Sequence, residues 1–261
     1  MDLPHPGNLA MTRLAGLCLA LVALSAAPAA PRQAAPRQKG EIEIGDTPAA
    51  VVREPLGWVD LPKLTGPDLS QGWTRISIPP ERPLDPRNPW SYDPKTGILT
   101  CRGEGIHEWL RWDEPAGDFI FHVEWRFVPV PGKKGYNSGV FARNSADGKV
   151  WLQAQTGDGS GGYLFGDIPV RGKTERINLA KQVKLPVVQP AGMWNSLEIT
   201  CQGPKVFLWS NGYMANYLPN CDVRKGYVGL EAEGWHIEFR NVKLKIIPIV
   251  EEPPKKAAPP R

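Results

Sequence analysis

The stretch Asp118-Phe-Ile-Phe-His-Val-Glu-Trp-Arg-Phe-Val128 constrains the fold more than any other part of the chain. Phe119, Phe121, Val123, Trp125 and Phe127 recur at every second position, with His122, Glu124 and Arg126 between them. A period of two belongs to an extended strand, whose successive side chains point to opposite faces. The segment therefore lays five bulky apolar groups against a core and turns polar groups the other way. Eight further runs have period-two or continuous apolar patterning: Trp73–Ile78, Ile98–Cys101, Ser138–Arg143, Val150–Gln155, Ser196–Cys201, Lys205–Ser210, Tyr227–Ala232 and His236–Ile247. Gln202-Gly-Pro and Asn211-Gly212 put residues tolerant of tight or left-handed geometry where strands must reverse. No stretch reads as a convincing helix, so the pattern predicts an all-β sandwich of two antiparallel sheets. The 27 Gly and 28 Pro, with 10 Trp to fill a core, suit such a turn-rich protein.

The ends of the chain have a different character. Arg13 precedes the apolar run Leu14–Leu24 and the small residues Ser25–Ala30, which reads as a signal peptide over residues 1–29, cleaved near Ala27 or Ala29. A periplasmic or secreted protein with no transmembrane span after cleavage is expected. Cys18 follows Leu17, which lacks the small side chain expected before a lipidated cysteine. A Pro/Ala-rich linker over 30–55, one domain over 56–248 and a disordered tail over 249–261 complete the expected organisation. The net charge of +4 sits in the terminal segments, leaving a near-neutral body without a Lys/Arg stripe and no electrostatic reason to expect nucleic acid as a partner. Of the exported cysteines, Cys201 and Cys221 are the pair expected to bridge, closing a short loop and leaving Cys101 free; three free thiols are the alternative. Gly157–Pro190, the longest region without strand patterning, is expected to be a loop.

Alternation also collects candidate site residues. Glu124 falls on the polar side of its strand, Arg143 aligns with Phe141, Trp151 aligns with Gln153 and Gln155, and Glu231 aligns with Glu233. Trp stacks on the C–H face of a pyranose while Arg, Gln and carboxylates hydrogen-bond vicinal hydroxyls, a combination suited to sugars. If the strands are adjacent, Glu124, Arg143, Gln153, Gln155 and Glu231 should converge on one sugar-sized volume, with Asp158 and Glu233 at its rim. Asp158 lies in Thr156-Gly-Asp-Gly-Ser-Gly-Gly-Tyr163, whose four glycines allow close backbone approach to a ligand. That loop lacks Gly-Lys-Ser/Thr, the chain has no Gly-x-Ser-x-Gly elbow, and its histidines and cysteines lack zinc spacing, so no nucleotide or organic cofactor is expected.

In order along the chain, Asp118-Phe…Glu124-Trp-Arg126, Asn137-Ser-Gly-Val-Phe-Ala-Arg143, Gln153-Ala-Gln155, Gly192-Met-Trp-Asn195, Asn211-Gly212 and Glu238-Phe-Arg-Asn-Val242 resemble the 3-keto-disaccharide hydrolase family, also called the 3-keto-α-glucoside-1,2-lyase/3-keto-2-hydroxy-glucal hydratase domain. The resemblance covers roughly Leu56–Pro248. It implies a concanavalin A-like lectin/glucanase jelly roll, export, a carbohydrate substrate and a partner sugar 3-oxidoreductase to make the ketone. The implied reaction on a 3-keto-glycoside is C2-proton abstraction, elimination of the aglycone and hydration; the alternative is a non-catalytic glycan-binding module of the cell envelope. Glu124, Arg143, Asp158 and Glu233 are the expected catalytic residues, with Asn137, Trp151, Gln153, Gln155 and Glu231 binding substrate. The family commonly has Glu where this chain has Gln153 and His where it has Glu233, so this chain either uses Glu233 for that histidine's task or is not the same enzyme. Asp158, Glu231 and Glu233 are oxygen ligands to which a divalent metal such as Ca²⁺, Mg²⁺ or Mn²⁺ could bind.

Overall fold

The structure, a computed structural model, describes residues 49–157 and 159–248. The expected signal peptide, most of the linker, the tail and Asp158 lie outside the described residues. Each of the nine patterned runs is a strand, and six more join them. In chain order they are β1 (Trp58–Asp60), β2 (Trp73–Ser77), β3 (Trp90–Asp93), β4 (Ile98–Arg102), β5 (His107–Trp112), β6 (Phe119–Phe127), β7 (Asn137–Asn144), β8 (Trp151–Gly157), β9 (Leu164–Val170), β10 (Lys173–Asn178), β11 (Asn195–Gln202), β12 (Lys205–Ser210), β13 (Tyr213–Leu218), β14 (Tyr227–Glu233) and β15 (His236–Ile246). The helix α1 (Ala50–Arg53) and two short 3₁₀ turns are the only helical elements among the described residues.

The strands form two antiparallel sheets. One runs β13-β12-β11-β6-β15-β4-β3, with β1 added to β15 as its eighth strand; the other runs β10-β9-β8-β7-β14-β5-β2. The alternating strand β6 is central to the eight-stranded sheet, with Phe121 opposite Ile199 on one side and Leu244 on the other. Its five apolar side chains are buried in one core with Val140, Ala142, Leu152, Ala154, Leu164, Ile168 and Leu230 of the seven-stranded sheet. Burying a side chain of this size contributes about 1.5–3 kcal/mol, so a ladder of five goes far to fix the register.

The turns follow their chemistry. Asn211 and Gly212 both have positive φ (47° and 85°), the two-residue geometry whose twist matches a hairpin, and they join β12 to β13. A second such turn, Arg171-Gly172, joins β9 to β10 inside the region expected to be a loop. β10 reads Lys-Thr-Glu-Arg-Ile-Asn, with only Ile177 buried. It is an edge strand, and charged edges of this kind protect a sheet from further pairing while carrying no hydrophobic period.

Of the two cysteine arrangements open to the sequence the structure has the three free thiols and not the Cys201–Cys221 bridge: Cys101, Cys201 and Cys221 are all free and buried. Cys221 donates its thiol to the carbonyl of Val223 at 3.6 Å. Cys201 faces the core from β11, and burial pushes its thiol up to about 12.

Candidate functional site

Pairing across the seven-stranded sheet brings its outward positions into rows. Glu231 of β14 pairs with Trp109 of β5, Leu230 pairs with Val140, and Gly139 of β7 pairs with Gln155 of β8, so Trp109, Glu231, Gly139 and Gln155 lie level. Two residues along one way lie His107 and Glu233, which pair directly, with Asn137 beside them. Two residues the other way come Phe141, Gln153 and Phe165. These side chains line a cleft of about 430 Å³, walled by Ile78–Glu81 on one side and by Asp147–Lys149 and Trp151 on another. The volume lies within the range of small-molecule sites.

Gly139 sets the depth of the floor. A Cβ there would stand 2.8 Å from Glu231 Oε2 and 2.9 Å from Gln153 Cδ, so only glycine lets both side chains lie over the strand. Gly229 plays the same part for Trp109, whose ring would meet a Cβ at 2.6 Å. Trp109, Phe141, Trp151 and Phe165 then touch edge to face in sequence, with centroids 5.4, 6.5 and 5.2 Å apart. Polar groups thread the same floor. Gln153 Nε2 donates to Gln155 Oε1 at 2.7 Å, and Gln155 Nε2 donates to Asn137 Oδ1 and to the Ser138 carbonyl.

The electrostatic centre is Glu231, Glu233 and His107. Glu231 is buried, its Oε1 lies 3.2 Å from His107 Nε2, and its Oε2 has no hydrogen-bond partner. Burial raises its carboxyl above the ordinary range, with His107 pulling the other way. Burial and the neighbouring Glu231 together push Glu233 up to about 7. The hydrogen bond to Glu231 raises His107 against the effect of its own burial. Two carboxyls that resist ionising together, beside an imidazole, form a proton-sharing group poised near neutral pH. One ligand atom from each of the three lies within 4.8 Å of the others, so a divalent cation that accepts one nitrogen and several oxygens could occupy the place of the shared proton.

Of the residues expected to converge, Asn137, Trp151, Gln153, Gln155, Glu231 and Glu233 line this one cleft. Glu124 does not: it lies on β6, in the other sheet, on the side facing away from the core. Burial opposes its charge, but Arg240 and Asn241, each donating at 2.7 Å, and the His122 ring 3.7 Å away outweigh it and bring the carboxyl to about 2. Such a group is a permanently charged clamp between β6 and β15 and a poor proton acceptor.

Arg143 departs from the expectation for a different reason. Tyr227 pairs with Asn144 and Gly229 with Phe141, so Ala142 and Arg143 together oppose Val228 in a β-bulge. With φ at 58°, Arg143 turns inward and is fully buried. Its guanidinium donates to the carbonyls of Gly203 and Gly117 at 2.6 and 3.2 Å and to Asp118 Oδ1 at 3.1 Å, tying β7 to the opposite sheet. It belongs to the scaffold and does not reach the cleft.

Sequence reasoning missed His107 and Trp109, because β5 was not recognised, and Phe165, Asp167 and Arg176, because β9 and β10 were read as loop. The one available signal was the aromatic content of His-Glu-Trp-Leu-Arg-Trp over 107–112.

The chain is an all-β sandwich of two antiparallel sheets, with an aromatic and acidic cleft on the outward side of one. The profile of the 3-keto-alpha-glucoside-1,2-lyase-like domain matches residues 62–245, and the chain belongs to this family of carbohydrate-acting proteins. No protein of curated function shows significant sequence similarity to it. Among solved structures, a candidate glycosyl hydrolase from Parabacteroides distasonis has a TM-score of 0.53 at 16% identity, over 76% of this chain and 97% of its own. The carbohydrate-binding module CBM66 from Bacillus subtilis has a TM-score of 0.49 at 14% identity, over 67% and 95% of the two chains. At these identities the likeness concerns the fold. No helix among the described residues is long and apolar enough to cross a membrane.

Proposed function

We propose that this protein cleaves 3-keto-glycosides by elimination followed by hydration. The observation that carries the reading is Glu233: a half-buried carboxyl raised to about 7, beside the buried Glu231 and His107, in a sugar-sized cleft of a family member. A ketone at C3 acidifies the C2 proton, so a modest base suffices to remove it. Glu233 takes that proton, and the electron pair passes to the C3 oxygen as an enolate. The pair then returns to form the C1=C2 bond while the C1–O bond to the aglycone breaks. The leaving oxygen takes a proton from the Glu231–His107 pair, whose positive partner also faces the developing enolate. Water adds back with hydroxyl to C1 and a proton to C2, and the net change is hydrolysis. Gln153, Gln155 and Asn137 hydrogen-bond the sugar hydroxyls. Export through a cleaved signal peptide, and a partner oxidoreductase that installs the ketone, belong to the same reading.

The test is incubation with 3-keto-trehalose or an aryl 3-keto-glucoside and detection of 3-ketoglucose. Turnover should fall at least about 100-fold in Glu233→Gln, the lower end of the usual range for losing a general base. In the unmodified protein kcat/KM should rise with pH through about 7, as Glu233 ionises. Binding of these sugars without product would instead describe a glycan-binding module.

A further inference from the structure

Resting on the cleavage reading above, and narrowing what it asks of the three amides, we propose that Asn137 is the donor that holds the ketone oxygen, and that Gln155 is a positioning residue that keeps it pointing that way. One group in the cleft cannot reverse its polarity. The Ser138 carbonyl belongs to the backbone and only accepts, so Gln155, 3.2 Å from it, must offer Nε2 there and turn Oε1 the other way. Oε1 then faces Gln153, which answers with its own Nε2 at 2.7 Å. Gln155 Nε2 has a second hydrogen, and Asn137 meets it with Oδ1. The amides are thereby aligned head to tail, and the two ends of the chain differ. Gln153 presents Oε1, over Gly139 beside Glu231 Oε2, whereas Asn137 presents Nδ2, which donates to Glu233.

The donor end is the one a ketone needs. A hydroxyl both donates and accepts, whereas a carbonyl oxygen only accepts. The β7–β14 register, Leu230 with Val140, carries Asn137 to the position opposite Glu233. The oxygen on C3 is a near neighbour of the C2 proton that Glu233 takes, so its partner has to stand beside that carboxyl. Asn137 Nδ2 carries one hydrogen for Glu233 and a second for the ketone. When the C2 proton moves to Glu233 and its electron pair passes to the C3 oxygen, that N–H meets a fuller charge and binds it more tightly, alongside the Glu231–His107 pair. A donor fixed before the substrate arrives needs no reorganisation at that moment. Gln155, held in turn by the Ser138 carbonyl, does the fixing.

Two probes that lack an aglycone separate recognition from cleavage: 1,5-anhydroglucitol and its 3-ketone, compared by calorimetry. In Gln155→Glu the new carboxylate cannot donate, so Asn137 turns to give it Nδ2 and leaves Oδ1 facing the ketone. The ratio of ketone to alcohol affinity should then fall about 10-fold, whereas Gln155→Leu, which removes the contacts without imposing the opposite direction, should lower it by less than about 3-fold. With 3-keto-trehalose, Asn137→Leu should lower kcat at least about 100-fold and keep KM within about 3-fold of the parent, as loss of an oxyanion donor does. Thermal melts check that each variant folds. A ratio that is unchanged in Gln155→Glu, or that falls as far in Gln155→Leu, overturns the proposal. So does a parental kcat in Asn137→Leu, or a parent that binds neither probe. If the ratios shift as expected and no 3-keto-glycoside is cleaved, the cleavage reading fails and the donor assignment stands.

Discussion

Replacing Glu231 by Gln should make the protein more stable at pH 8 and change how its stability depends on pH. Glu233 holds its proton in the folded state up to about 7, whereas the unfolded chain releases it near 4.5, so across that window the folded state binds more protons and stability falls as pH rises. A shift of 2.5 units corresponds to about 3.4 kcal/mol, and the partial exposure of this carboxyl reduces the figure to about 1–2 kcal/mol. Glu231, also raised, acts in the same sense. His107 adds to it, because a histidine raised by a partner contributes stability below its unfolded value that is lost as pH rises through the folded one. His122 is also raised but lies in the other sheet, and the substitution leaves its contribution in place. Glu124 and Glu198 are lowered, so their contributions are full above about pH 4.5 and fade only below it, that of Glu124 toward about pH 2. Between pH 5 and 8 the difference between Glu231→Gln and the parent therefore isolates the cleft. The variant should gain about 1–2 kcal/mol over the parent at pH 8, about 2–8 °C in Tm for a domain of this size, and lose that advantage by pH 5, where the His107 contribution that depends on Glu231 is present in the parent alone. Denaturant melts at pH 5, 6.5 and 8 measure this. A parent whose stability is flat or rising over that range, or a variant with an undiminished slope, refutes the reasoning.

Three other substitutions separate scaffold from site. Arg143→Ala should cost about 3–5 kcal/mol in urea melts, because it empties the fully buried volume of the Arg143 side chain, takes the donor from the carbonyls of Gly203 and Gly117 and removes one of the donors to the half-buried Asp118 carboxylate. Glu124→Gln should keep turnover near the parental rate while losing about 1–2 kcal/mol of stability, since it weakens the clamp on Arg240 and Asn241. Gly139→Ala should fold with little change in Tm, because the atoms its methyl displaces are the ends of two side chains, yet lower kcat/KM by at least about 10-fold by lifting Glu231 and Gln153 from the floor.

The patterned runs were legible because each has one face in the core, and burial then imposes a period of two. β5 defeats that logic from both sides. Its inward position Glu108 is buried but matched by Arg75 at 2.6 and 2.7 Å and by the Trp90 indole at 2.9 Å, so an acid occupies a core position. Its outward position Trp109 is equally buried, because Gly229 leaves the indole room to lie against the sheet. Read as hydropathy, acid inside and Trp outside is the wrong way round. The partners that reverse it, Trp90, Arg75 and Gly229, stand 18, 33 and 120 residues away, where a local pattern cannot see them.

The candidate site divides along a similar line. Alternation states which residues of one strand share a face, and it grouped Gln153 with Gln155 and Glu231 with Glu233 correctly. It does not state which sheet a strand joins, and so Glu124 was counted with residues on the far side of the core. Nor does it survive an inserted residue: one bulge after Phe141 turned Arg143 from the cleft to the interior, and the left-handed φ that accompanies it is rare enough outside glycine that nothing in Ala-Arg-Asn announces it. His107 carries the same lesson into the chemistry. It is unremarkable at its own position and acquires its raised proton affinity only because β5 pairs with β14 and sets it against Glu231, 124 residues away. The polar lining of the cleft was therefore available from composition and period, while its acid–base character arises from a pairing between distant strands. A substitution that shifted the β5–β14 register by two residues would keep every side chain of that lining and abolish the group that titrates near 7.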